Sequence, residues 1–190
     1  MNLPNKLSLL RLILIPFFVL FFTLSESFYL NSTLVIYFRY IAAFIFIIAS
    51  LTDYFDGEIA RKNNLITNFG KLIDPLADKT LVCCTLICLS NYEYIPLFCT
   101  LICIFREFMI STFRLVAVEQ GVVIAASKWG KYKTASQMIS IVLILCNIHT
   151  INKYLYYLTY IIFYVSIILT IISLIDYVFK NKDVILNSGV

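Results

Sequence analysis

The sequence predicts an all-α, polytopic membrane protein with six transmembrane helices, and three observations support this fold class. Hydrophobic residues make up 61% of the 190 residues, whereas soluble domains contain roughly 45–50%. Charged residues make up only 14%, and the mean hydropathy is +0.90. The chain also contains six long, mainly apolar runs, and a helix needs about 20 such residues to cross a bilayer. The net charge of +4 is too small to indicate nucleic-acid binding.

The first three spans are predicted at Leu7–Leu24, Leu34–Leu51 and Lys71–Leu89. Pro16 would kink the first span, which a helix bundle tolerates. No small-x-small cleavage site follows this span, so it is not interpreted as a signal peptide. The second span ends at an acidic segment, and the third begins directly after that segment.

The remaining spans are predicted at Tyr94–Phe113, Thr134–Ile148 and Tyr154–Phe179. The last run is long enough to tilt or to extend past the membrane. The six cysteines all lie in apolar runs and form no C-x-x-C pair, so we expect small, reduced, buried side chains. Because no repeat, low-complexity tract or linker is evident, residues 1–190 are interpreted as one domain.

The distribution of Lys and Arg predicts that both termini are cytoplasmic, since cytoplasmic loops carry the excess of these residues. With six spans, one side of the membrane receives 13 of them and the other receives 2, Arg39 and Lys153. The same arrangement places the acidic segment and the basic segment 106–133 on the cytoplasmic face.

The most informative segment runs from Asp53 to Asp78 and has the pattern D-x-x-D-G-x-x-A-R, then eight residues, then G-x-x-x-D-x-x-x-D. Asp53 and Asp56 are three residues apart, and Asp74 and Asp78 are four apart, so each pair lies on one face of a helix. The first pair ends the second span and the second pair opens the third. A short connection, roughly residues 57–70, would let the two helix ends come together.

Four carboxylates at one membrane edge would repel one another strongly unless cations compensate them. Oxygen ligands of this kind favour magnesium, manganese or calcium over zinc. Gly57, Ala60 and Gly70 leave space for a ligand near the backbone, and Arg61 offers a planar cation to a phosphate or a carboxylate. A solvated, charged loop is the alternative interpretation, and it explains single aspartates better than it explains the joint pattern.

This pattern resembles the motif of the CDP-alcohol phosphotransferases, integral membrane enzymes of phospholipid synthesis, at all eight of its defined positions. The resemblance implies the six-helix fold of that family, usually a homodimer, with a metal centre of two Mg²⁺ or Mn²⁺ ions. Members of the family displace CMP from a CDP-linked substrate with an alcohol.

Three further stretches resemble the bacterial branch of the family that joins CDP-diacylglycerol and sn-glycerol 3-phosphate to give phosphatidylglycerophosphate and CMP. They are the opening M-N-L-P-N-K-L-S-L-L-R, F-R-E-F-M-I-S-T-F-R at 105–114, and S-K-W-G-K-Y-K-T at 127–134. Ser8 replaces a more usual threonine and keeps the hydroxyl. The resemblance covers about residues 1–140 and implies a location in the bacterial inner membrane.

The resemblance also implies a role for each matching residue. The metal ligands would be Asp53, Asp56, Asp74 and Asp78. Asp78 would in addition be the catalytic general base. The residues lining the CDP site would be Asn5, Ser8, Arg11, Gly57, Ala60, Arg61 and Gly70.

The basic segment supports an acceptor that carries a phosphate, because a phosphate dianion needs cations around it. The candidates for binding this phosphate are Arg106, Arg114, Lys131 and Lys133. The alternative is that the cations determine topology and meet lipid headgroups, and it stays equally open for Lys128. Arg106 and Arg114 lie in an apolar run beside Glu107, where a functional role explains a charge better.

Two other functions stay open at this point. The same fold could use another acceptor, such as inositol phosphate, serine, choline or phosphatidylglycerol, although a phosphate-free acceptor would not need the cations. A cation transporter would use the carboxylates as an ion pathway. A transporter would place them at the membrane midplane, and it would leave the glycines and Arg61 unexplained.

Overall fold

The computed structural model describes residues 3–27, 31–62, 68–119, 122, 127–146 and 152–181, and it leaves out the side chains of 3–6, 53–75, Asp78 and Glu119. Within these ranges the regular structure consists of α-helices. Their bounds are α1 (Leu3–Ser25), α2 (Ser32–Lys62), α3 (Asn68–Asn91), α4 (Leu97–Glu119), α5 (Lys128–Leu145) and α6 (Lys153–Lys180).

The predicted all-α class is confirmed, and each predicted span overlaps one of the six described helices. The predicted start of the fourth span was wrong, because Tyr94 lies in a bend and α4 begins at Leu97. Three described segments are long and apolar enough to cross a bilayer: Leu7–Ser25, Ser32–Thr52 and Lys153–Lys180. The predicted end of the fifth span was wrong, because α5 ends at Leu145 and Cys146 already forms a turn. The chain forms two compact units, Met1–Ile95 and Pro96–Val190.

The predicted connection at residues 57–70 was wrong at both of its ends. Helix α2 continues through Gly57 to Lys62, and α3 already begins at Asn68. The residues after Gly57 include good helix formers, which offset the roughly 1 kcal/mol that a glycine costs in a helix. With 31 residues, α2 is about 46 Å long, which exceeds the roughly 30 Å of a hydrocarbon core.

The core of the N-terminal unit forms where α1 contacts both α2 and α3. Phe18 and Phe22 on α1 are fully buried, and the Phe18 ring lies 6.0 Å from the ring of Phe46 on α2. Ala42 and Ala49 of α2 are also fully buried. Small residues at these positions let two membrane helices approach closely, which leaves room for the phenylalanine rings.

At the end of α3 a tight turn brings Tyr94 against Arg39 of α2. Glu93 adopts a left-handed backbone conformation with a φ of 60°, and the Tyr94 amide donates to the Leu89 carbonyl at 2.9 Å. The Arg39 Nη1 donates to Glu26 Oε1 at 3.0 Å and to the Tyr94 hydroxyl at 2.6 Å. These three side chains, Glu26, Arg39 and Tyr94, are called the Arg39 cluster below.

In the C-terminal unit, α6 contacts both α4 and α5. Its buried face combines Phe163 with the small polar residues Ser166, Thr170 and Ser173. Ser166 and Thr170 donate hydrogen bonds to carbonyls one turn back on their own helix, so their burial leaves no unmade hydrogen bond. The six cysteines are free thiols, as expected. The expectation of burial holds for Cys99 and Cys103 and was wrong for the other four, which are partly exposed.

Candidate functional site

The acidic motif lies where α2 ends and α3 begins. Asp53 and Asp56 belong to the last three turns of α2, while Asp74 and Asp78 belong to the first three turns of α3. The two helices are in contact, but the four carboxylates lie outside the described side chains. Among the side chains that are described, no group of three or more His, Cys, Asp or Glu could hold a metal ion.

Helix α1 supplies two buried polar residues to the same unit. Ser8 is fully buried and Arg11 is 1% exposed, and their spacing of three residues places them on one face of α1. A buried guanidinium requires a compensating anion. Helix α1 contacts α2 and α3, and these two helices carry the four aspartates. The burial of Arg11 is therefore consistent with an acidic site in this unit. Asn5 lies outside the described side chains.

The other residues that the sequence assigns to the CDP site are also helical. Gly57, Ala60 and Arg61 lie on α2 and Gly70 lies on α3, all outside the described side chains. The donor set of the motif consists of carboxylates, which is the chemistry that hard divalent cations such as Mg²⁺ and Mn²⁺ prefer. The predicted metal site therefore fits this pair of helices by its chemistry.

The C-terminal unit contains a buried ionic group that joins α4 to α5. Glu107 Oε1 accepts hydrogen bonds from Arg106 Nη1 at 2.9 Å and from Lys133 Nζ at 2.6 Å. The side chains of Arg106 and Lys133 are only 9% and 2% exposed. Two of the four cations that the sequence predicts for the acceptor phosphate therefore meet at one carboxylate.

Ser173 and Gly130 complete this group from α6 and α5. Arg106 Nη2 donates to Ser173 Oγ at 2.8 Å. A Cβ atom at Gly130 would lie 3.1 Å from Arg106 Nη2, so the absence of a side chain makes room for the guanidinium. The five residues Arg106, Glu107, Gly130, Lys133 and Ser173 are called the Arg106 cluster below.

The local sequence explains why α5 presents Gly130 and Lys133 to α4. Ser127 caps the helix, because its hydroxyl accepts the Gly130 amide at 3.1 Å. This cap satisfies a backbone amide of the first turn and fixes where α5 begins. Lys133 then falls one turn after Gly130, on the same buried face.

The other two predicted acceptor residues lie on the surface. Arg114 and Lys131 are both exposed. Lys131 and Lys133 are two residues apart on α5, so their side chains point about 200° apart. The structure thus brings Arg106 and Lys133 together and places Arg114 and Lys131 apart from them.

Three residues of the Arg106 cluster were missed as site residues from the sequence. Glu107 had a usable signal, because a glutamate inside the apolar run Phe105–Phe108 must be paired to be buried. Gly130 and Ser173 had none, since their roles depend on which atoms of other helices lie against them.

Several buried donors of the C-terminal unit have no hydrogen-bond partner among the residues that the structure describes. They are Arg106 Nε, Gln137 Nε2 and the Tyr177 hydroxyl. Gln137 follows Lys133 by one turn of α5, and Tyr177 follows Ser173 by one turn of α6. Because buried polar groups are rarely left unpaired, this unit has unused capacity to bind a polar ligand.

Comparison with known proteins identifies the family. A family model described as CDP-alcohol phosphatidyltransferase matches residues 1–172. The chain belongs to the CDP-alcohol phosphatidyltransferase family. This confirms the prediction from the eight motif positions. Membership and the apolar helices make the chain an integral membrane protein of a transferase family that is generally divalent-metal dependent.

Relatives from several bacteria carry the name CDP-diacylglycerol–glycerol-3-phosphate 3-phosphatidyltransferase. One from Bacillus subtilis is 42% identical over 143 residues, which cover 74% of each chain. One from Rickettsia felis is 42% identical over 143 residues, covering 74% of this chain and 72% of the relative. One from Haemophilus influenzae is 37% identical over 194 residues, covering 98% of this chain and 97% of the relative.

Proposed function

We propose that this protein transfers the phosphatidyl group of CDP-diacylglycerol to sn-glycerol 3-phosphate, giving phosphatidylglycerophosphate and CMP in phospholipid synthesis. The main support for the proposal is a relative named for this reaction, which is 37% identical to this protein over an alignment that covers 98% of the chain. The buried cations of the Arg106 cluster support the same acceptor, because a phosphorylated alcohol needs cations and a neutral one does not.

The donor would bind at the acidic motif of α2 and α3. Asp53, Asp56, Asp74 and Asp78 would hold two divalent ions, Mg²⁺ or Mn²⁺. Such ions, when bound, neutralise a diphosphate and stabilise the leaving group. Ser8 and Arg11 of α1 are buried polar groups that can bind the cytidine diphosphate, together with the other residues predicted for this site. The acyl chains would remain in the bilayer.

The acceptor phosphate would bind at Arg106 and Lys133. Both are cations held in fixed positions, and Arg106 Nε has no hydrogen-bond partner within the described part of the chain. A buried N–H that lacks a partner gains most from an incoming phosphate oxygen. Arg114 and Lys131 are exposed and remain predicted contacts for the phosphate as it arrives from solvent.

The reaction is a substitution at phosphorus. A glycerol hydroxyl oxygen of the acceptor attacks the β-phosphorus, and Asp78 takes the proton of that hydroxyl. The bond from this phosphorus to the CMP oxygen breaks, and CMP leaves with the electron pair. Holding the acceptor by its phosphate orients the hydroxyl, and this orientation supplies much of the acceleration.

We infer that the protein lies in a bacterial inner membrane, with both termini and the active site on the cytoplasmic side. The 13-to-2 distribution of Lys and Arg supports this orientation, and the acceptor, glycerol 3-phosphate, is a water-soluble molecule that would reach the site from the cytoplasm. A homodimer remains the assembly that the family resemblance predicts.

The acceptor can be identified with purified protein, labelled CDP-diacylglycerol and a panel of acceptors. The panel contains glycerol 3-phosphate, glycerol, inositol phosphate, free inositol, serine, choline and phosphatidylglycerol. We expect magnesium-dependent release of CMP with glycerol 3-phosphate as the best acceptor and glycerol as a very poor one. If serine or free inositol outcompetes glycerol 3-phosphate, the proposed acceptor is wrong although the family is not.

The role of the Arg106 cluster can be tested with Lys133→Met and a matched control, Lys180→Met. Loss of a charge-assisted contact of about 1.5–3 kcal/mol should raise the KM for glycerol 3-phosphate roughly ten- to a hundredfold. The KM for CDP-diacylglycerol should not change. Lys180 is 67% exposed and pairs with Asp176 at 2.7 Å, so its substitution should leave both constants unchanged. Equal effects of the two variants would remove Lys133 from the acceptor site.

A further inference from the structure

Glu107 occupies a position that the proposed reaction does not yet explain. One oxygen of its carboxylate, Oε1, accepts from both Arg106 Nη1 and Lys133 Nζ, at 2.9 and 2.6 Å. The two nitrogens therefore cannot lie further apart than the sum of these two distances. Glu107 is 17% exposed and is less accessible than a surface carboxylate. It fixes the spacing of two cations that belong to different helices.

Arg106 is held on its other side as well. Its Nη2 donates to Ser173 Oγ at 2.8 Å and lies where a Cβ of Gly130 would be crowded. With Nη1 on Glu107 and Nη2 on Ser173, the orientation of the planar guanidinium is determined. The one remaining nitrogen, Nε, is buried and has no hydrogen-bond partner in residues 3–27, 31–62, 68–119, 122, 127–146 and 152–181, which the structure describes. An anion that approached Nε would meet a donor whose direction is already fixed.

The charge of Glu107 also decides whether the two cations can be buried together. Two like charges at this separation repel each other, and each loses its hydration on burial. One carboxylate compensates half of this charge and leaves a net single positive charge for an anionic ligand. Without the carboxylate, the side chains would separate or move toward solvent, and the spacing required for one phosphate group would be lost.

We propose that Glu107 is a positioning residue for the acceptor: it sets the distance and orientation of Arg106 and Lys133 so that both can bind one phosphate group. This inference rests on the proposed function. Glu107 itself does not contact the acceptor, because a carboxylate would repel a phosphate. Its effect is therefore expected on acceptor binding and not on donor binding.

The kinetic test uses full-length protein and compares the variants Glu107→Gln and Glu107→Asp with the original sequence. Glu107→Gln keeps the shape but removes the charge, so the KM for glycerol 3-phosphate should rise about ten- to a hundredfold while the KM for CDP-diacylglycerol stays constant. Glu107→Asp keeps the charge balance, and hence folding, but cannot reach both cations, so its acceptor KM should be intermediate. An unchanged acceptor KM in both variants, or equal changes in the two KM values, would overturn the proposal.

A second measurement does not depend on activity. Amine-reactive labelling followed by mass spectrometry compares Lys133 with Lys128 and Lys131, which are exposed on the same helix. In the protein with its original sequence, Lys133 should be protected from labelling. In Glu107→Gln, the labelling of Lys133 should rise toward that of the two exposed lysines. Unchanged protection would show that Glu107 does not hold Lys133. If the unmodified protein does not use glycerol 3-phosphate, the proposed function fails, and the labelling still decides whether Glu107 fixes the lysine.

Discussion

Replacing Gly130 by alanine should weaken acceptor binding without unfolding the protein. The new Cβ would lie 3.1 Å from Arg106 Nη2, 3.4 Å from Ser127 Oγ and 3.6 Å from Ser173 Oγ. The last two distances are ordinary or nearly ordinary contacts, whereas the first is tighter than most real Cβ contacts. The guanidinium of Arg106 must therefore move by a few tenths of an ångström.

The expected change in the free energy of unfolding follows from two opposing effects. Alanine is better than glycine inside a helix by about 1 kcal/mol, and by less in the first turn where Gly130 lies. Against this, Arg106 can move only by lengthening its bond to Ser173 or to Glu107. Losing part of a charge-assisted hydrogen bond of about 1.5–3 kcal/mol offsets the helix gain. We expect the free energy of unfolding to stay within about 1 kcal/mol of the original value.

Acceptor binding has no such compensation. A displaced guanidinium aims Nε away from the phosphate, so the KM for glycerol 3-phosphate should rise roughly three- to tenfold, which corresponds to about 0.6–1.4 kcal/mol. The KM for CDP-diacylglycerol should be unchanged. Both constants can be measured in detergent or liposomes, with thermal unfolding followed on the same samples.

The matched control is Ala135→Gly, the reverse exchange at an exposed position of the same helix. It should lower the free energy of unfolding by roughly 0.5–1 kcal/mol and leave both KM values unchanged. The reasoning is refuted if Gly130→Ala raises stability by the full helix gain and leaves the acceptor KM unchanged. Arg106 would then have more space around its guanidinium than the distances in the structure allow.

Three further predictions concern other parts of the molecule. Asp56→Ala and chelation of divalent cations should each abolish turnover while the protein stays inserted in the membrane. Normal turnover of Asp56→Ala at low magnesium would exclude Asp56 as a metal ligand. Asp78→Asn should still bind CDP-diacylglycerol but fail to form product. Glu26→Gln should lower the free energy of unfolding by ~2 kcal/mol, because Arg39 would lose a partly buried ion pair, and an unchanged melting temperature would show that the pair contributes nothing. Burial, the largest cause, raises the pKa of Tyr94 above its ordinary value of 10.0. The folded protein therefore holds this proton at a pH where the unfolded chain releases it, so stability should fall as pH rises above about 10, and Tyr94→Phe should reduce that fall.

The helices were predictable because membrane spans depend on local composition. A run of about 20 apolar residues can satisfy its backbone only as a helix inside a bilayer, so each span could be placed without knowing its neighbours. The ends of the helices were less predictable. Polar residues such as those from Asp53 to Lys62 are compatible with either a loop or a helix outside the membrane, and the structure shows the helix.

One part of the candidate site was likewise easier to predict from the sequence than the other. The aspartate motif is a pattern within two adjacent helices, so spacing alone could reveal it. The pairing of Glu107 with Lys133 joins residues 26 positions apart on two helices, so no pattern within one helix reveals it. The contact of Arg106 with Ser173 spans 67 positions. Composition carries no record of such contacts, although the buried charges require that some partner exist.

Arg39 and Arg106 are both buried arginines that pair with a glutamate, but their surroundings differ. Arg39 donates to Glu26 and to Tyr94, and its guanidinium also lies 4.6 Å from the centroid of the Tyr94 ring. Since Tyr94 donates in turn to both oxygens of Glu26, the carboxylate is satisfied from two sides. A cluster closed in this way stabilises the connection of its helices and offers little to a ligand.

The Arg106 cluster is not closed. One carboxylate oxygen, Glu107 Oε1, accepts from two cations, and Arg106 Nε is buried without a partner among the described side chains. An unmade hydrogen bond of this kind costs roughly 1–3 kcal/mol, and two cations per carboxylate leave an excess of positive charge. A phosphate oxygen bound at the proposed acceptor site would remove both costs. Similar side chains therefore form a closed structural contact around Arg39 and the proposed anion site around Arg106, and Glu107→Gln should affect substrate binding where Glu26→Gln affects only stability.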